Sequence, residues 1–153
     1  MKRKRLPTLP QLRKRADHLW SILILMDGTP PDAIDGISRC AVGKCRMPAI
    51  SAHHVFHKSM HGRFRYDRRN GLPVCRKCHF MERRDPAPVV VAAMGYLGCS
   101  EFREFATDVM ENRGKGPIVR KRADFEAIIL GLEELIAIET LPEVLLAVDP
   151  IAK

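Results

Sequence analysis

The chain has no apolar run of the roughly 18 to 20 residues that a membrane span requires. The stretch "LWSILILM" (Leu19–Met26) falls well short of that length. Two prolines and a second basic cluster separate it from the "MKRKR" start, which argues against a signal peptide, so the expected location is the cytoplasm. Internal repeats and low-complexity tracts are also missing, and the 153 residues read as one domain with room for an appended subdomain. Acidic residues are absent from the first fifteen positions and number only two between residues 40 and 84.

That scarcity leaves the charge unevenly spread. Residues 1–39 carry a net +4, residues 40–84 a net +9 and residues 85–153 a net −5. A basic middle points to an anionic partner, of which nucleic acid is the commonest. A solvated basic surface that only keeps the protein soluble is the plainer account of the same numbers. The acidic C-terminal part is not expected to lie along a phosphate backbone.

Five cysteines without an export signal do not read as a disulfide framework. Four form two tight pairs, Cys40/Cys45 in "CAVGKC" and Cys75/Cys78 in "CRKC". Two such knuckles suit a tetrahedral, closed, structural Zn²⁺ site, and the flanking Lys44, Arg46, Arg76 and Lys77 favour thiolates. The first knuckle has four intervening residues where two are more usual. "CRKCH" also matches a c-type haem attachment motif, but that chemistry needs an exported protein and leaves Cys40 and Cys45 unexplained. Cys99 reads as a small buried apolar residue.

The fold class expected is α+β and mostly helical. Residues 1–15 form a basic flexible arm in which Pro7 and Pro10 forbid a continuous helix. Residues 16–38 supply an N-terminal helix and loop, the helical pattern running from Gln11 and stopping at Gly28. Residues 39–84 hold the cysteines and most histidines, with strands at Ile50–Val55 and Gly71–Val74 and a helix starting near Cys75. Residues 85–153 form a C-terminal helical region, with helices at Pro88–Leu97, Glu101–Asn112 and Val119–Glu139. Phe125, Ile128, Ile129, Leu132, Leu135 and Ile136 line one face of the last, read as core or as a dimer or partner contact. Thr140 and Glu143 fit a capping box for a short final helix.

Within residues 39–84 an adjacent pair, His53 and His54, precedes Asn70, which precedes His79 on the expected helix. The run "C…C…AHHVF…RFRYDRRNGLPVCRKCHF" resembles an HNH endonuclease of the ββα-metal (His-Me finger) group, and within it phage HNH proteins related to the NinG (Rap) recombination nucleases. The resemblance covers Arg39–Arg84. It implies a zinc-stapled ββα-metal motif in which His53 and His79 ligate a catalytic divalent ion. It makes His54 the general base toward water, and Asn70 the residue that holds the loop between the strands. Two nitrogen ligands suit Mn²⁺, Ni²⁺, Co²⁺ or Zn²⁺, with Mg²⁺ activity allowed because phosphate and water fill most of its shell. The rate is expected to climb as His54 deprotonates near its unperturbed pKa of about 6.5.

Arg63, Arg65, Arg68, Arg69, Arg76 and Lys77 are expected to straddle a DNA backbone, duplex or branched. Phe64 and Tyr66 pack beneath the loop, Phe80 is a core residue, and His57 and His61 are exposed loop residues. The function so implied is DNA phosphodiester hydrolysis to 5′-phosphate and 3′-hydroxyl ends, in phage recombination or processing. Competing readings are a nuclease resolving Holliday junctions, a nuclease acting on RNA, and a non-catalytic zinc-finger DNA-binding accessory protein. A homodimer through the C-terminal helices is the expected route to paired cuts.

Overall fold

The computed structural model describes residues 6–59, 61–113, 115, 118 and 120–140. Helix α1 spans Leu9–Asp27. Its N-terminus lies earlier than the sequence indicates, so the second half of the expected basic arm is helical. Pro10 falls in the first turn, where the missing N–H has no intrahelical partner to lose. The Thr8 N–H donates to Gln11 Oε1 at 2.7 Å, which satisfies a group the helix leaves bare. Leu12, Ala16, Trp20, Leu23 and Ile24 recur at helical spacing and are buried.

After α1 the chain forms the first cysteine loop and then a two-stranded antiparallel sheet, β1 (Ser51–His54) and β2 (Gly71–Val74). The register pairs Ser51 with Val74 and His54 with Gly71. Helix α2 (Arg76–Met81) follows β2 after one residue, so the order β–β–α is present. Helices α3 (Ala87–Leu97), α4 (Cys99–Glu111) and α5 (Arg122–Thr140) complete the described chain. The class is α+β and mostly helical. The short final helix expected after Thr140 lies outside the described residues.

α1 is the hub. Its Leu12 and Ala16 pack with Phe125 and Ile129 of α5, and its Trp20, Leu23 and Ile24 with Leu132. Burying side chains of this size contributes roughly 1.5–3 kcal/mol each. The buried part of the apolar face of α5 packs on α1, as the core reading of that face expects. Ile24 also meets the sheet, so closely that a Cβ at Gly71 would sit 2.2 Å from Ile24 Cδ1. Only glycine permits that approach. Phe64 packs on Phe105 and Val109 of α4, and Tyr66 stacks edge-on against Phe125. Phe80 is 56% exposed and Cys99 is exposed, so neither is the core residue the sequence indicated. Both follow from α2 and α4 lying at the surface with one face free. Among the described residues no helix is long and apolar enough to cross a membrane.

Candidate metal centre and histidine cleft

The first cysteine loop is closed by backbone. Cys40 N–H donates to Met47 O at 2.9 Å and Cys45 N–H to Val42 O at 3.1 Å. Gly43, at φ 57°, makes the left-handed turn between them. Ala41 N–H reaches Pro73 O and Ile50 N–H reaches Val74 O, each at 3.0 Å, which ties the loop to β2. Cys75 then caps α2, its Sγ accepting from Cys78 N–H at 3.5 Å.

These local devices bring Cys40, Cys45, Cys75 and Cys78 together, with all four Sγ atoms within 4.8 Å of one another. Cys45 Sγ and Cys75 Sγ are 3.8 Å apart. Zn–S bonds of about 2.3 Å in a tetrahedron put sulfurs about 3.8 Å apart, so the donor set fits a structural Zn²⁺. Burial works to raise the Cys75 thiol, but the Cys78 N–H and neighbouring thiols outweigh it and bring it to about 7. Cys40 and Cys78 are pushed up, burial being the first cause for each. Among the described residues this is the one group of three or more Cys, His, Asp or Glu donors within that range.

A cleft of about 580 Å³ lies on the other side of α2. β1 supplies His53 and His54 to it, and α2 supplies His79 and, just past its end, Glu82. His53 is buried, and its Nε2 has no hydrogen-bond partner although Glu82 Oε1 is 3.9 Å away. The His79 ring stands edge-on to it, with centroids 5.2 Å apart. His79 Nδ1 lies 3.4 Å from Ser51 Oγ. Burial pushes His53 below the usual histidine range, with the Glu82 carboxylate acting in the opposite direction.

His54 has different surroundings. Its ring stacks on Trp20 of α1 at 4.0 Å, and its Nε2 lies 2.9 Å from Arg65 O. A carbonyl only accepts, so Nε2 carries the proton and the neutral ring keeps its lone pair on Nδ1. Burial drives the His54 pKa down to about 4, which corrects the value near 6.5 expected from the sequence.

Asn70, the last residue before β2, is fully buried. Its Oδ1 accepts from Phe56 N–H at 2.7 Å, and its Nδ2 donates to Phe56 O at 3.1 Å and Phe64 O at 3.0 Å. One side chain thus clamps both ends of the segment joining β1 to β2.

Of the six residues of the expected cationic row, three are ion-paired within the chain. Arg65 forms a two-pronged pair with Asp17 at 2.8 and 2.6 Å, and Arg68 pairs with Asp27 and Glu139. Arg69 pairs with Asp67 and Asp108. Arg63, Arg76 and Lys77 are exposed and outside the cleft. The cations that line it are Lys58 and Arg83, which the sequence reading missed, along with Glu82 and His57. Glu82 could have been found from its position three residues beyond His79, on the same helical face. His57 lines the cleft with Nδ1 2.7 Å from Ser59 Oγ, whereas His61 packs edge-on against Phe56. Comparisons of the chain with protein-family models, with curated proteins and with solved structures found no match.

Proposed function

We propose that this chain is a metal-dependent DNA endonuclease of the HNH type, hydrolysing phosphodiester bonds to 5′-phosphate and 3′-hydroxyl ends. The observation that carries the reading is the division of labour within β1. His53 presents a buried nitrogen with no partner, while the next residue, His54, has one nitrogen tied to a carbonyl and the other unprotonated. A packing role for adjacent histidines does not require that asymmetry.

His53 and His79 are the residues that would hold the divalent ion, which supplies charge stabilisation to the phosphate oxygens and the leaving 3′-oxygen. The protein's own part is positional and acid–base. The Arg65 carbonyl fixes the His54 tautomer and Trp20 fixes its plane, so Nδ1 is presented to take a proton from an attacking water. Asn70 keeps the intervening loop, and with it the Arg65 carbonyl, in register with β1. Lys58 and Arg83 line the same cleft and suit a phosphodiester, while the thiolate cluster anchors the start of α2.

The test is nicking of supercoiled plasmid by the purified full chain with Mg²⁺, Mn²⁺ or EDTA, beside a four-way junction and a matched linear duplex. Metal-dependent cutting is expected, reduced about 10²–10⁴-fold in His54→Ala with zinc content unchanged. Faster cutting of the junction assigns the branched substrate. Equal cutting by the variant overturns the role of His54. DNA binding without cutting of any substrate favours the non-catalytic accessory reading.

A further inference from the structure

A hollow of about 450 Å³ on and just beyond α2 is lined by Lys77, Phe80, Met81, Arg83 and Arg84. Its lining has three cations and no acid, since the intervening Glu82 lines the histidine cleft instead. Phe80 and Met81 are 56% and 51% exposed. The guanidinium carbons of Arg76 and Arg83 each lie 5.9 Å from the centre of the Phe80 ring. Among the described residues, neither these two nor Lys77 and Arg84 take part in an ion pair. A cation–π contact at an exposed site is weak enough to be exchanged for a better partner. Arg83 lines the histidine cleft as well as this hollow, so the two surfaces are continuous.

Four free cations around an exposed ring match a ligand that is anionic along its length and carries flat π-faces. A nucleic-acid strand is such a ligand. In a duplex those faces are covered by the neighbouring base pairs, so an unpaired base is the one that can lie on a ring. We propose that Phe80 is a stacking platform for an unpaired base of the DNA strand that enters the cleft, with Arg76, Lys77, Arg83 and Arg84 holding the flanking phosphates. The assignment rests on the nuclease reading above and adds a specificity to it. Phosphate contacts give affinity for any sequence, whereas the ring distinguishes a strand with an open base from one that is fully paired.

The experiment measures binding of the full chain, with its zinc in place and no other metal added, to labelled DNA. A duplex is compared with the same duplex carrying one unpaired base, by fluorescence anisotropy at several salt concentrations. The wild type is expected to bind the DNA with the unpaired base about tenfold more tightly. Phe80→Trp keeps that ratio. Phe80→Leu, which retains apolar bulk and loses the π-face, brings it to within about twofold of unity, with zinc content and thermal melt unchanged because the ring is exposed. Arg84→Ala weakens both DNAs by a similar factor and lowers the salt slope by about one. A wild type that binds both DNAs equally overturns the assignment and leaves the nuclease reading standing. Phe80→Leu with the wild-type ratio also overturns it, since any apolar wedge would then serve. A wild type that binds neither DNA overturns both this assignment and the reading beneath it.

Discussion

The four-cysteine cluster and the histidine cleft share α2 and are built on opposite plans. The cluster is closed: its four donors lie within mutual reach, and Cys40 and Cys75 are buried. The cleft is open: it encloses about 580 Å³ and is lined by groups of mixed chemistry, including the exposed His79. A closed four-sulfur set leaves no position for a substrate, whereas an open set with fewer donors does. The short helix is thus held at its start by one arrangement and offers its flank to the other.

The sharpest way to separate the two is to remove metal. Stripping zinc, or Cys75→Ser, is expected to lower the midpoint of thermal unfolding by more than about 10 °C. Structural zinc sites supply on the order of 10 kcal/mol, and each kcal/mol is worth about 2–4 °C in a chain of this length. His79→Ala should move the midpoint by only a few degrees. Calorimetry with metal analysis decides, and comparable shifts for the two changes would erase the distinction.

Asn70 joins the strand that carries the histidines to the strand that leads into the second knuckle. Asn70→Ala removes three hydrogen bonds of a fully buried side chain and should cost about 3 kcal/mol in urea unfolding. A loss below about 1 kcal/mol would mean that the loop is held by its aromatic packing alone.

A third effect is confined to the cleft. With His54 at about 4 when folded and near 6.5 when unfolded, the unfolded chain binds the extra proton between those values. Stability from this group is complete above pH 6.5, falls as pH drops, and is lost below about 4. Allowing for its partial exposure, the difference between wild type and His54→Gln should change by about 2 kcal/mol across that window. Urea unfolding at several pH values checks this, since thiol protonation is common to both proteins. A constant difference would remove the case that His54 is kept neutral by burial.

The smallest effect concerns which cations would meet phosphate if the proposed function holds. Lys58→Ala and Arg83→Ala should each weaken DNA binding several-fold and reduce the salt slope by about one. Arg65→Ala should leave affinity within twofold, because its charge is already matched by Asp17. Fluorescence anisotropy at several salt concentrations distinguishes the sets, and the reverse ranking would return the interface to the arginine row.

Legibility in the sequence followed distance along the chain. The cysteine pairs, the strand at Gly71–Val74 and the helix after Cys75 are set by residues a few positions apart, so spacing alone located them. The partners of Arg65 and Arg68 lie 48, 41 and 71 residues away, and no local pattern announces an ion pair of that span. His54 titrates low because it is buried, and part of what lies against it, Trp20, comes from another element. Pro10 misled in the other direction, since a proline that breaks a helix interior is tolerated in its first turn. Glu82 was visible as a letter and not as a neighbour of His53, which only the approach of β1 to α2 supplies.

Trp20 is the chain's one tryptophan, and its ring lies against His54 at 4.0 Å. An imidazolium quenches indole emission far more strongly than a neutral imidazole does. The molecule therefore carries an optical gauge on the residue assigned as base. Its intrinsic fluorescence reads the protonation of that one ring without a label, before any substrate is added and in every variant that leaves the stack intact.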